Sequence, residues 1–178
     1  MRTLQQKNSK GATQSRALCR ALRALPRKTR EEEKIIRRFT FLSFAGLVFL
    51  TDQIFKIILS RVYPEGTGFP VIPGVFHITM VHNSGAAFGI LGGNTRFLIL
   101  VSLGVIAGLL FFLRRPSLAW ALVLGGAFGN LYDRLRFGYV IDFLDFRVWP
   151  VFNLADACIC VGVGCIVWSF FKHAPHSS

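Results

Sequence analysis

At 178 residues the chain has the length of one ordinary domain, yet 52% of it is apolar and only 17% charged, against roughly a quarter charged in soluble domains. With a mean hydropathy of +0.48 and 18 Phe, a water-soluble fold would lack the polar surface to cover itself, and wholesale disorder is excluded by the same figures. The net charge of +12 sits at one end: residues 1–38 carry +9 and the remaining 140 only +3, which is the pattern of a basic anchor before a hydrophobic block rather than of a folded nucleic-acid-binding surface.

Residues 1–38 are polar and basic and read as a solvated, largely disordered tail, with a short amphipathic stretch at 15–25 (Leu18, Leu22, Leu25 on one face). No small-residue cleavage pattern follows the first apolar block, so a cleaved leader is not expected. Four apolar segments follow. The first, 39–59, is long enough for about 31 Å of helix and a membrane crossing. The second is 97–113, closed by Arg114-Arg115-Pro116. The third, 117–132, is rich in Gly and Ala. The fourth, 154–171, is closed by Lys172. Lys34, Arg37 and Arg38 before the first segment hold the N-terminal side in the cytoplasm. Four crossings then put the C-terminal residues 173–178 and Arg114-Arg115 on the same side, with connections 60–96 and 133–153 outside. Arg134, Arg136 and Arg147 in the second connection run against the rule.

Within 60–96, residues 71–82 are β-branched and aromatic between breaks at Pro70, Pro73-Gly74 and Ser84-Gly85, and are expected to form a small β element on the outer face. Phe146, Trp149 and Phe152 suit an interfacial aromatic belt. The expected architecture is thus an all-α membrane protein of four transmembrane helices with a small β element outside. Of the four cysteines, Cys19 lies in the tail, while Cys158, Cys160 and Cys165 share the last apolar block without metal or disulfide spacing. They read as packing residues.

The polar residues near the spans carry the chemical information, since an Asp or Lys at mid-bilayer costs about 2.5 to 3.5 kcal/mol. Asp52, Lys56, Asn130, Asp133, Arg134, Asp142, Asp145, Asn153 and Asp156 all fall at or beyond the outer ends of the predicted spans. Asp52 and Lys56, spaced i,i+4, can form an internal ion pair. Asn153 can cap the fourth helix, with Asp156 in its first turn. Asp142 lies 14 residues before Asp156, and Pro150 and the aromatic run can fold that link back. Two carboxylates held close in a poorly hydrated site share a proton, so one can act as base towards water while the other donates to a scissile carbonyl. Asp145 reads as a solvated or Arg147-paired surface acid. His77 and His82 lie five apart in an extended stretch without a third ligand, and no GxSxG, HExxH or phosphate-binding glycine motif is present.

Five motifs occur in order: Asp52-Gln53-Ile54-Phe55-Lys56; Asn83-Ser84-Gly85-Ala86-Ala87-Phe88; Gly129-Asn130-Leu131-Tyr132-Asp133-Arg134; Gly138-Tyr139-Val140-Ile141-Asp142-Phe143; and Phe152-Asn153-Leu154-Ala155-Asp156. Together they resemble the lipoprotein signal peptidases, or signal peptidase II, bacterial membrane aspartyl peptidases. The resemblance implies four spans with both termini cytoplasmic and a β-cradle on the outer, periplasmic face. It makes Asp142 and Asp156 the catalytic pair and places Asn83, Asn130, Arg134 and Asn153 along the site. Asp52, Lys56, Gly85 and Asp133 fall in supporting or substrate-binding positions. It further implies cleavage of prolipoproteins just before a diacylglyceryl-modified lipobox Cys, in the inner membrane, with no metal or other cofactor. Phe55 stands where many members carry a small polar residue, and the basic extension is longer than the family needs. The competing expectation, a small non-enzymatic transporter or assembly anchor, would place polar groups at mid-membrane or at both faces.

Overall fold

A computed structural model describes residues 30–85, 94–111 and 117–172. The rest of the basic tail, Cys19, the Ala86-Ala87-Phe88 part of the second motif, Arg114-Arg115-Pro116 and residues 173–178 lie outside the described residues. The chain divides into two units, Met1–Ile36 and Arg37–Ser178. In the first, residues 30–36 are already helical, where the sequence suggested a disordered tail. Glu31, Glu32 and Glu33 occupy the first turn, where carboxylates favour a helix N-terminus, and Glu31 pairs with Lys34 at 2.5 Å.

Helix α1 runs Arg30–Val62, and its buried positions Phe41, Ala45, Val48, Asp52 and Lys56 recur every three or four residues. One stripe therefore passes from apolar to charged along a single face. Leu47, Leu50, Ile54 and Ile58 on other faces are more than half exposed. Strands β1 (Gly68–Ile72) and β2 (Phe76–Asn83) form a hairpin around Gly74, whose φ of 75° suits its turn. Helix α2 covers Thr95–Phe111, and α3 Leu118–Phe137. Strand β3 (Val140–Asp145) and helix α4 (Leu154–Lys172) complete the chain.

Helix α3 is the hub. Nearly every residue from Val123 to Asp133 is buried, and its glycines let the neighbours close in. A Cβ on Gly125 would sit 2.5 Å from the Ala45 carbonyl oxygen of α1, and one on Gly126 would sit 2.4 Å from that of Ala155 in α4. Phe41, Ala45, Ile106, Leu109, Ala121, Leu124 and Leu131 fill the core between α1, α2 and α3. Two expectations change here. The helix continues to Phe137, past the predicted end at 132, because the Asp133 carboxylate finds a cation on α1. Gly138 then stops it with φ 84° and an N–H bonded to the Arg134 carbonyl. The outer connection after it, to which the sequence assigned no element, holds β3, which joins the hairpin as the third strand of an antiparallel sheet in the order β1-β2-β3. Val81 stands opposite Asp142 and Asn83 opposite Val140.

Of the four predicted spans, α1 and α4 are long and apolar enough to cross a membrane. The apolar α2 has 17 described residues, and α3 carries Asp133, Arg134 and Arg136 in its last turns. The α4 surface is lined by exposed Val161, Val163, Val167, Trp168, Phe170 and Phe171, an outer face suited to lipid rather than water.

Candidate active site

The link between β3 and α4 determines what meets what. Leu144 and Phe152 form an isolated antiparallel bridge, with Leu144 N–H to Phe152 carbonyl at 2.7 Å and the return bond at 3.1 Å. Arg147, at φ 65°, turns the chain between them. This neck lays Asn153 and the first turn of α4 against β3, so Asp142 and Asp156 open onto one cavity of about 680 Å³.

Asp156 belongs to a reciprocal cap at the start of α4. The Asp156 N–H donates to Asn153 Oδ1 at 2.9 Å and the Asn153 N–H to Asp156 Oδ2 at 3.3 Å. Asn130 of α3 donates from Nδ2 to Asp156 Oδ1 at 2.6 Å. Asp142, 1% exposed, accepts from Asn153 Nδ2 at 2.7 Å on one oxygen and from Asn83 Nδ2 at 2.9 Å on the other. Every oxygen of the two carboxylates thus has an amide donor, and Asn153 touches both acids. Burial, and after it the neighbouring Asp156 carboxylate, push Asp142 up to about 7, against the hydrogen bonds from Asn83 and Asn153 and the field of Lys56. Near neutral pH Asp142 is therefore protonated in about half of the molecules, where an ordinary Asp would have lost its proton almost completely.

The other expected residues surround this pair. Arg134 lines the cavity and reaches the Gly85 carbonyl at 3.5 Å, and the Gly85 N–H donates to Asn83 Oδ1 at 3.0 Å. Asp52 and Lys56 lie behind the cavity, not in its wall. The Lys56 ammonium is 2.8 Å from Asp52 and 2.7 Å from Asp133, with all three side chains at most 1% exposed, and it also donates to Asn130 Oδ1 at 3.3 Å. The pair expected from i,i+4 spacing is hence a triad, joined by Gln53, which donates to Asp133 at 2.9 Å.

Of the two expectations for Asp145, a solvated acid or an Arg147-paired surface acid, the Arg147 pairing is found and the surface position is not. Asp145 pairs with Arg147 at 3.0 Å but is 5% exposed, and it accepts from the Thr79 hydroxyl at 2.9 Å and the Arg147 N–H at 2.8 Å. Burial alone would raise it; these hydrogen bonds outweigh burial and hold its carboxyl below the ordinary value. It lies outside the cavity wall. His82 pairs with Glu65 at 2.9 Å and stacks on Tyr139. Among the described residues no three His, Cys, Asp or Glu side chains are grouped to hold a metal ion.

Sequence reasoning missed the apolar half of the site. Phe146, Trp149 and Phe152, read as an interfacial belt, line the cavity together with Val148 and Ile159, and so does Cys160, read as a packing residue. The signal was available, because an apolar run between two acids that must meet has to wall the space between them.

Residues 44–172 match the model of the family described as signal peptidase (SPase) II. The lipoprotein signal peptidase of Moorella thermoacetica is 48% identical over 141 residues, 75% of this chain and 94% of that protein. That of Halothermothrix orenii is 43% identical over 127 residues, covering 68% and 88%. A solved structure described as a bacterial membrane enzyme, determined by the in meso method at 2.3 Å resolution, superposes with a TM-score of 0.73 at 31% identity, over 78% of this chain and 92% of its own. Motif order, shared fold and near-complete coverage of these relatives agree: the chain belongs to the signal peptidase II family.

Proposed function

We propose that Asp142 and Asp156 are the catalytic pair with which this peptidase removes the signal peptide of diacylglyceryl-modified prolipoproteins, cutting just before the lipidated Cys. The observation that carries the assignment is that two carboxylates from different elements open onto one cavity, with Asn153 bonded to both. The protonated fraction of Asp142, about half near pH 7, serves as acid, which leaves Asp156 as base. As a water oxygen attacks the scissile carbonyl carbon, Asp156 takes a proton from that water while Asp142 gives its proton to the carbonyl oxygen, forming a gem-diol. Collapse returns a diol proton to Asp142, and Asp156 delivers its proton to the leaving nitrogen as the C–N bond breaks. No metal or other cofactor enters these steps.

Asn83, Gly85 and Arg134 rim the polar side of the cavity and are suited to hold substrate backbone. The apolar wall at Phe146, Val148, Trp149 and Ile159 is suited to an acyl chain or the signal helix. In this reading residues 39–172 form a four-span domain of the bacterial inner membrane. The basic segment 1–38 and residues 173–178 are then cytoplasmic, and the sheet and active site lie at the outer leaflet. The charge of residues 1–38 supports that orientation.

The test is a gel-shift assay of the purified protein in detergent with a diacylglyceryl-modified prolipoprotein and its unlipidated form. Cleavage of the lipidated form alone is expected. Asp142→Asn and Asp156→Asn should each abolish turnover, the double variant should be no worse than either, and Asp145→Asn should remain active. An inactive Asp145→Asn beside an active Asp142→Asn would name the other carboxylate.

A further inference from the structure

Three buried charges outside the cavity wall sit beside the two acids in an ordered way. Asp52 Oδ1 accepts the N–H of Ala155 at 3.0 Å, the residue before Asp156. Asp133 Oδ2 accepts the N–H of Ile141 at 3.2 Å, the residue before Asp142. Lys56 binds both carboxylates, and Gln53 spans them with Nε2 at 3.2 Å from Asp52 and 2.9 Å from Asp133. Each acid is thus fastened through the backbone of its neighbour in sequence, and the two fastenings are tied to one ammonium. The close approach is built in, since a Cβ on Gly129 would stand 2.8 Å from Asp52 Oδ2.

We propose that the Asp52–Lys56–Asp133 triad is a positioning clamp that sets the separation of Asp142 and Asp156, through the N–H groups of Ile141 and Ala155. A buried ion pair is weak evidence of stabilisation, because desolvation offsets much of the attraction. The hydrogen bonds give this one a specific task, because peptide hydrolysis by two acids needs both within reach of one water. A displacement of about 1 Å costs about 100-fold in rate. The proposal rests on Asp142 and Asp156 being the catalytic pair.

The test compares Asp133→Asn with Asp133→Leu. Both remove the same charge, and only Asn retains an oxygen for the Ile141 N–H. Turnover is measured per folded molecule, taken from the monodisperse fraction in detergent, together with KM and the pH profile. Asn is expected to keep kcat within about 5-fold of the parent, while Leu loses about 100-fold with KM unchanged. The alkaline limb reports how strongly the two acids, with Lys56 and Arg134 facing them, feel one another. It should therefore move to lower pH in Leu relative to Asn, as the acids separate.

Equal activity of the two variants overturns the clamp: both dead makes the Asp133 charge, not its hydrogen bond to Ile141, the requirement, and both active makes the triad a fold element only. If the Leu variant does not fold, Asp52→Asn against Asp52→Leu asks the same question at Ala155. If neither Leu variant folds, a loss above about 100-fold in both Asn variants overturns it. The catalytic assignment is read separately, since it fails only if Asp142→Asn or Asp156→Asn still cleaves.

Discussion

The raised proton affinity of Asp142 has a consequence for stability that does not involve substrate. Its folded value of about 7 stands well above the ordinary aspartate value of 3.8. The stabilising contribution of the protonated group is therefore complete below the unfolded value and lost as pH rises through the folded one. At 1.36 kcal/mol per unit, the loss between pH 5 and pH 8 amounts to about 3 kcal/mol from this side chain. For a chain of this size that is roughly 6–12 °C in melting temperature. Asp142→Asn cannot ionise, so this part of the slope should vanish in it, even though its amide faces the Asn83 and Asn153 donors and sacrifices a hydrogen bond at every pH. The assay is thermal unfolding in detergent at pH 5, 6, 7 and 8 for the parent, Asp142→Asn and Asp145→Asn. The parent should lose stability towards pH 8, Asp142→Asn should be flatter by about 3 kcal/mol, and Asp145→Asn should keep the parental slope across this window. Parallel curves for the parent and Asp142→Asn would refute the claim that burial and Asp156 hold a proton on this carboxyl.

Gly126→Ala drives a methyl into the Ala155 carbonyl and Ile159. It should cost about 1–3 kcal/mol in thermal unfolding, whereas Gly164→Ala, with nothing within 4 Å of its Cβ, should be neutral or slightly stabilising. Because two carboxylates suffice for the proposed chemistry, excess chelator should leave the rate in the gel-shift assay unchanged; loss restored by zinc would contradict the dyad. Deleting residues 1–30 while keeping Lys34, Arg37 and Arg38 should preserve specific activity in detergent, and a collapse of turnover with normal insertion would show a further role for the tail.

The helices were legible because membrane-type segments announce themselves by long apolar runs, and α4 in particular starts at a recognisable cap, Asn153 with Asp156. The candidate acids were legible too, most specifically through motifs, since composition alone does not choose between Asp142 and Asp145 in one connection. What separates them is pairing. Asp142 lies opposite Val81 and receives Asn83, while Asp145 lies opposite His77 and receives Thr79 and Arg147. That register depends on β2, far away in the chain. Strand β3 itself was illegible because Val140–Asp145 is buried almost throughout and shows no alternation to mark a strand. The extension of α3 was hidden for a related reason. Asp133 and Arg134 look like the polar end of a span until Lys56 of α1 is known to be waiting for the carboxylate. Local spacing could show Asp52 and Lys56 as neighbours, but the third member of the triad is a tertiary fact.

The Leu144–Phe152 neck makes the chain between its two sides a cassette. Both acids lie outside the ring it closes, Asp142 before Leu144 and Asp156 after Phe152, so residues 146–151 can change in length or composition while the frame that holds the acids stays bonded at its base. Yet the cassette supplies Phe146, Val148 and Trp149 to the cavity wall, and Val148 and Trp149 are among the most exposed apolar side chains described, at 92% and 60%. The part of the site that meets the apolar portion of a substrate can therefore drift under selection, or be exchanged by an engineer, independently of the part that handles protons. Divergence among relatives should accumulate in that ring as their signal peptides and acyl chains differ, with the catalytic step inherited intact.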